Sequence, residues 1–117
     1  ATLRGWWEED PALTARYYNQ VLGQWGEVPT TAPGWACEEI VRQHLQCPSL
    51  LCILAFQDWL SMDEDLRYPD ANAERINVPA NPRHYWRYRM HLTLEDLMKN
   101  KAFNQKMIEM IDEAGRY

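Results

Sequence analysis

Two polar residues, Gln57 and Asp58, directly follow an apolar run, a position at which enzymes often carry substrate-binding or catalytic side chains. The run, residues 49–56, is apolar without alternation, which suits a strand buried on both faces of a parallel sheet, although a buried helix is also compatible. Barrel enzymes carry functional groups at the carboxyl ends of such strands. Gln57 and Asp58 are therefore candidate site residues; the alternative is that Asp58 only caps the short helical turn after it.

A second candidate region interleaves basic and aromatic side chains: Arg83, His84, Tyr85, Trp86, Arg87, Tyr88, Arg89 and His91. Tyr and Trp suit sugar binding because their faces cover apolar sugar C–H groups while their polar tips form hydrogen bonds. The chain has six Trp and six Tyr against two Phe, and the simpler alternative is that most of them pack in the core. A platform for single-stranded nucleic acid has the same pattern, but the net charge of -5 argues against it.

The potential metal ligands match no common site. One group has the spacing Cys-x6-His-x2-Cys-x4-Cys, which no zinc knuckle shares: Cys37, His44, Cys47 and Cys52. Another fits the outer positions of a calcium loop but has Tyr68 where glycine is required: Asp63, Asp65 and Glu74. We therefore expect no metal and no cofactor. The odd number of cysteines, without Cys-x-x-Cys, favours a reducing, cytoplasmic setting over a disulfide framework.

The elements that must position these residues are mainly helices. Asp10 followed by Pro11 predicts a helix start, and Gly23 marks its end. A second helix is expected from about residue 35 to 45, with an inner face formed by Cys37, Ile40, Val41, His44 and Leu45. Thr93 is expected to cap a short helix. A last helix should follow Asn100 and end at Gly115, with apolar contacts from Ala102, Phe103, Met107, Ile108, Met110 and Ile111.

The chain thus contains about four helices and at most one strand, residues 49–56. A lone buried strand leaves its backbone donors and acceptors unsatisfied, which burial does not tolerate. The partners of this strand therefore lie in further sequence, or the segment pairs in a dimer, or it is helical. No run approaches the roughly 18 apolar residues of a membrane span, so no membrane partner is expected.

Two longer motifs are more specific than these patterns. The first is Thr2-Leu3-Arg4-Gly5-Trp6-Trp7, and the second runs from Asn77 to Arg89 as Asn-Val-Pro-Ala-Asn-Pro-Arg-His-Tyr-Trp-Arg-Tyr-Arg, preceded by Gln57-Asp58. In this order they resemble the amylomaltase or disproportionating-enzyme family, the 4-α-glucanotransferases, and most closely the branch that contains the plant cytosolic disproportionating enzyme. Ala80 stands where the family usually has glycine, and Tyr85 where many members have Asn; both departures fit that branch.

The resemblance implies a mainly α chain that is the C-terminal fragment of a (β/α)8 TIM barrel, with residues 1–117 forming one incomplete domain. It also implies a retaining mechanism in which an Asp attacks, a Glu moves the proton and a further Asp stabilises the transition state. The third carboxylate belongs to a Thr-His-Asp motif expected just before Ala1. No residue of this chain is therefore expected to be catalytic.

The remaining predictions from the resemblance concern binding and support. Residues expected to contact or orient glucan are Asn77, Tyr85, Trp86, Gln57 and Asp58. Residues expected to support the site are Trp6 and Trp7, for which the alternative is a role as core aromatics, and Arg87 and Arg89, which should pair with acidic loop residues.

The partner in the parent enzyme is an α-1,4-glucan or maltooligosaccharide, with no nucleic acid and no membrane. The isolated chain is expected to transfer no glucosyl units and to form a homodimer that buries residues 50–56. Two alternative functions need no catalysis: a stand-alone carbohydrate-binding module and a helical interaction domain.

Overall fold

A computed structural model describes residues 2–116, and the regular secondary structure in this range is helical. Over these residues there are six α-helices, one 3₁₀ turn and no strand: α1 (Leu3–Glu9), α2 (Pro11–Gln20), α3 (Gly34–Gln46), α4 (Phe56–Leu60), the 3₁₀ turn (Ala71–Glu74), α5 (Leu94–Lys99) and α6 (Lys101–Glu113). The prediction of a mainly α chain is confirmed, whereas α1 and the 3₁₀ turn were not predicted. None of the described helices combines the length and the hydrophobicity needed to cross a bilayer.

Helix α2 begins where the sequence predicts. The Asp10 carboxylate accepts hydrogen bonds from the backbone N–H groups of Ala12 and Leu13, at 3.1 and 3.2 Å, and Pro11 occupies the first helical position. These bonds satisfy two of the donors that a helix start leaves free. Helix α1 has the same kind of start, because the Thr2 hydroxyl accepts from the N–H of Gly5 at 3.3 Å.

Helix α3 is the central element and packs against α4 and α6. It spans Gly34–Gln46, close to the predicted range, and four of its five predicted inner residues are buried: Cys37, Ile40, Val41 and Leu45. His44 was wrongly assigned to the inner face, since its ring is exposed and bonds the carbonyl of Ile40 within the same helix. Gly34 is required by close approach, because a Cβ there would lie 2.8 Å from the Met62 carbonyl oxygen.

Helix α3 contributes residues to two apolar clusters. The first contains Trp7, Tyr18, Ala32, Ala36, Cys37 and Ile40. The second contains Val41, Leu45, Leu60, Met62, Phe103 and Met110. Leu3 packs against both clusters. Each fully buried large side chain contributes about 1.5–3 kcal/mol, so α3 and the start of α1 join the two halves of the core.

The two C-terminal helices begin where the sequence predicts, and the cap at Thr93 is confirmed, whereas the cap at Asn100 was not predicted. The Thr93 hydroxyl accepts from the N–H of Asp96 at 3.1 Å at the start of α5. The Asn100 side chain accepts from the N–H of Phe103 at 3.1 Å at the start of α6. The inner face of α6 is narrower than predicted, because Ala102 and Ile108 are exposed while Phe103 and Met110 are buried.

The predicted strand does not form. Residues 51–55 have no regular structure. Three apolar side chains in and next to this segment are strongly exposed: Leu50 by 93%, Leu51 by 75% and Ile53 by 89%. Gln57 and Asp58 therefore lie within α4 instead of at a strand end. A strand is stable only when the backbone groups of a neighbouring strand form hydrogen bonds with it. Residues 2–116 contain no such neighbour, so the segment stays irregular.

Candidate functional site

Asp58 links α4 to the start of α1. Its Oδ1 atom accepts a hydrogen bond from the backbone N–H of Leu3 at 2.9 Å. A carboxylate at a helix N-terminus is stabilised both by this bond and by the helix dipole. The alternative that Asp58 caps the turn after it is therefore wrong, because the helix it caps is α1. Its neighbour Gln57 is only 5% exposed.

A groove of about 460 Å³ opens beside this contact. It is mostly apolar, and its lining residues come from α1, α2, α3 and the start of α4: Thr2, Leu3, Trp6, Tyr17, Ile40, Val41, His44, Leu54 and Asp58. The Trp6 ring meets the Tyr17 ring edge to face, with 5.5 Å between centroids. The Tyr17 hydroxyl donates to the side chain of Gln43 at 2.8 Å, and burial, with Glu39 nearby, raises the pKa of Tyr17. The groove combines aromatic faces with one carboxylate.

Trp7 is a core residue. It is 1% exposed, and its indole N–H donates to the carbonyl of Pro29 at 2.9 Å. Its ring meets Tyr18 edge to face at 6.4 Å, and its own carbonyl accepts from the Thr14 hydroxyl at 2.7 Å. Of the two alternatives for Trp6 and Trp7, the core role therefore describes Trp7, while Trp6 lines the groove.

Three of the predicted glucan-contacting residues lie on an irregular segment, residues 66–91, which we call the aromatic loop. Asn77 is exposed, and Tyr85 and Trp86 are exposed by 71% and 70%. The loop is folded locally: the His84 ring bonds the carbonyl of Ile76 at 3.0 Å. The structure therefore presents these three residues to solvent on one loop, whereas Asp58 lies in the groove and Gln57 in the interior.

Arg87 and Arg89 are both exposed. The guanidinium of Arg87 lies over the ring of Tyr85, 4.8 Å from its centroid, which is a cation–π arrangement. The expected ion pairs with acidic loop residues do not form within residues 2–116 for either arginine. Arg87 instead restricts the orientation of the Tyr85 ring.

The most buried charged pair was not predicted. Arg4 and Glu74 are 4% and 2% exposed, and the Arg4 Nη1 atom lies 2.8 Å from Glu74 Oε1. Arg4 also donates to the carbonyls of Tyr68 and Pro69. Burial raises the pKa of Glu74, opposed by the adjacent Arg4. Arg4 stands within the first motif, but no spacing in the sequence indicated Glu74 as its partner.

The possible metal ligands do not converge. Over the described part of the chain, no three His, Cys, Asp or Glu side chains come together in a way that could hold a metal ion. Cys37, Cys47 and Cys52 are free thiols. Burial raises the pKa of Cys37, while hydrogen bonds from the side chain and backbone of Ser49 lower the pKa of Cys47.

Comparison with known proteins agrees with the two motifs. The family model for 4-alpha-glucanotransferase matches residues 1–94. These proteins are carbohydrate-active transferases, and this chain belongs to the 4-alpha-glucanotransferase family. The resemblance stated from the sequence is therefore confirmed.

One curated relative extends the match beyond the family model. The 4-alpha-glucanotransferase DPE2 of Oryza sativa subsp. japonica is 38% identical over 116 residues, which are 99% of this chain and 12% of that protein. The chain thus spans about an eighth of the length of this relative. No solved structure matches the chain.

Proposed function

We propose that this chain is the C-terminal part of the catalytic (β/α)8 barrel of a 4-alpha-glucanotransferase, which transfers α-1,4-glucan segments to sugar acceptors. The observation that carries the proposal is the family match over residues 1–94. The exposed apolar side chains of residues 50–53 support it, because flanking barrel strands would cover them and satisfy their backbone groups.

The proposed reaction is a retaining double displacement. An Asp attacks the anomeric carbon of the donor glucan while a Glu protonates the leaving oxygen, and a covalent glycosyl-enzyme forms. A sugar hydroxyl then attacks this intermediate, and the same Glu removes its proton. These carboxylates are proposed to lie outside residues 1–117, so the isolated chain should be inactive.

The role proposed for this chain is to form part of the glucan-binding wall. Exposed Tyr85 and Trp86 offer faces on which sugar rings can stack, and Asn77 offers an amide for hydroxyl groups. Asp58 and Trp6 line a groove with similar chemistry. The buried position of Gln57 favours a supporting role over direct contact, and Trp7, Arg87 and Arg89 are proposed as support.

The proposed setting is the cytoplasm, with α-1,4-glucan or maltooligosaccharide as the partner and without nucleic acid or membrane. Three free cysteines fit a reducing compartment. For the isolated chain we propose a homodimer that covers residues 50–56, because exposed apolar segments associate.

The test is maltooligosaccharide transfer by the full-length protein and by residues 1–117 alone, with products separated by size. We expect disproportionation by the full-length protein and none by the isolated chain. In the full-length protein, Trp86→Ala should raise KM for glucan, whereas Trp25→Ala, at an 81% exposed tryptophan, should not. Absence of transfer by the full-length protein would contradict the proposal.

The carbohydrate-binding alternative has its own readout. The exposed Tyr85 and Trp86 are the observation that favours it. Titration of tryptophan fluorescence in residues 1–117 with maltooligosaccharides distinguishes the two functions. Saturable binding by the isolated chain would favour a stand-alone module, and an unchanged signal favours part of a barrel.

A further inference from the structure

We propose that Arg4 and Glu74 are positioning residues, whose buried ion pair fixes the aromatic loop and so sets where Tyr85 and Trp86 meet the glucan. The inference rests on the proposed function, because it concerns residues proposed to bind that substrate. Neither Arg4 nor Glu74 is itself expected to contact sugar, since both are almost completely buried.

The attachment of the loop supports this role. Two arginines join the aromatic loop to the rest of the chain in the structure of residues 2–116. Arg67, at the start of the loop, donates to the carbonyls of Ala32 at 2.7 Å and Ser61 at 3.2 Å, and Arg4 supplies the bonds to residues 68–74. The Arg4 guanidinium reaches three acceptors: the Glu74 carboxylate at 2.8 Å, the Pro69 carbonyl at 3.3 Å and the Tyr68 carbonyl. Because an arginine holds its donors in a rigid planar fork, these bonds fix orientation as well as distance.

The position of Glu74 transmits this constraint to the aromatic residues. Glu74 closes the 3₁₀ turn, three residues before Asn77. Two residues beyond it, the carbonyl of Ile76 accepts from the His84 ring at 3.0 Å, directly before Tyr85 and Trp86. Burial, together with the charge of Glu74, raises the pKa of Tyr88. Movement of Glu74 would therefore move both ends of the exposed aromatic stretch.

The ion pair is also connected to Asp58, through α1. Arg4 follows Leu3, whose N–H donates to Asp58 at 2.9 Å, and Leu3 packs against both core clusters. The first turn of α1 thus binds Asp58 through the backbone N–H of Leu3 and binds the aromatic loop through the side chain of Arg4. Asp58 and the loop are placed relative to each other by α1, so a change at Arg4 should alter substrate affinity more than the chemical step.

The test uses the full-length protein with Arg4→Lys and Glu74→Gln, which retain size and polarity. Two measurements are made: amide hydrogen exchange over residues 76–90, and kcat and KM for maltooligosaccharide transfer. We expect exchange in residues 76–90 to accelerate by about tenfold without change in α6, and KM to rise by about tenfold with kcat within about threefold.

Two further variants make the outcome decisive. His84→Phe removes only the bond to Ile76 and leaves the buried pair intact, so it should raise KM in the same way without loss of stability. Arg42→Lys is the control. Arg42 forms ion pairs with Glu38 and Glu39 within α3 and with Glu113 of α6, none of which involves the aromatic loop, so this variant should leave both readouts unchanged.

The outcomes separate the two proposals. Unchanged exchange over residues 76–90 in Arg4→Lys and Glu74→Gln would overturn the positioning role, whatever the activity. Accelerated exchange with an unchanged KM in an active enzyme would also overturn it. If the variants show accelerated exchange but the wild-type protein transfers no glucan, the attachment is supported and only the proposed function is refuted.

Discussion

Arg4 and Glu74 are 70 positions apart in the chain and almost completely buried together. Removing one partner of such a pair leaves an uncompensated buried charge, which costs about 3–5 kcal/mol, whereas replacing both with apolar residues is often tolerated. Each charge is therefore tolerated in the interior because the other is present, while the second carboxylate oxygen of Glu74, Oε2, is buried without a hydrogen-bond partner in residues 2–116.

A double-mutant cycle tests this view of the pair. We expect Arg4→Met and Glu74→Leu each to lower the free energy of unfolding by about 3–5 kcal/mol, and the double variant to lose clearly less than their sum. Urea denaturation of the 117-residue chain measures all three. The half-buried, solvent-accessible pair Arg42 and Glu39 is the control, because its removal should cost about 1 kcal/mol or less. Additive losses at Arg4 and Glu74 would contradict the expected coupling.

The raised pKa of Glu74 gives a pH dependence with a definite sign. Burial raises this pKa above 4.5, Arg4 opposes the shift and Asp58 adds to it. A raised pKa in the folded state means that the fold binds the proton more tightly than the unfolded chain, so the resulting stability is present below pH 4.5 and is lost as pH rises through the folded-state pKa.

Glu74→Gln removes this titration. The difference in unfolding free energy between the wild type and Glu74→Gln should therefore fall with rising pH in this window and become constant above it. Urea denaturation at a series of pH values from about 4 to about 7 measures the difference. A difference that rises with pH would show that the folded-state pKa is depressed.

At the scale of elements, the starts of α2, α5 and α6 were predictable because their signals are local, whereas the start of α1 was missed despite its Thr2 cap. Asp10-Pro11, Thr93 and Asn100 each satisfy a donor two or three residues away. The strand at residues 49–56 was not predictable in the same way, because a strand depends on distant neighbours. The core face of α3 was predicted from periodicity except for His44, whose ring bonds its own helix.

The cap of α2 allows a direct test at this scale. Asp10→Ala removes the acceptor for the N–H groups of Ala12 and Leu13 and should lower the free energy of unfolding by about 1 kcal/mol. Glu9→Ala, at an exposed neighbour, is the matched control and should change it by less than about 0.5 kcal/mol. Equal effects of the two variants would show that the cap is not the cause.

The candidate site was predicted only in part for a related reason. The aromatic stretch was recognisable because its residues are consecutive, and the structure presents Tyr85 and Trp86 to solvent as sugar stacking requires. The buried ion pair that anchors this stretch was not recognisable, since Arg4 and Glu74 meet only when α1 and the 3₁₀ turn have packed. Contacts between distant segments are set by packing, which sequence patterns do not encode directly.

For the molecule as a whole, the apolar side chains of residues 50–53 are the clearest feature without a partner in residues 2–116. We expect the isolated chain to self-associate, and Leu50→Asp combined with Ile53→Asp to abolish this association in sedimentation velocity. Stability should change by less than about 0.5 kcal/mol, because these side chains are already exposed. Met98→Asp, at a 76% exposed residue of α5, is the control; association unaffected by the first pair of changes would contradict the prediction.

Besides the Glu74 carboxylate, several main-chain acceptors fold and attach the aromatic loop. Arg4, His84 and His91 bond carbonyl oxygens, those of Tyr68, Pro69, Ile76 and Leu66. Every residue type carries a carbonyl, so the accepting positions can change their side chains without losing the bond. We therefore expect relatives to differ at these four positions while they keep the three donors. Such differences would change which glucans each relative prefers. The attachment thus leaves the loop open to evolutionary variation.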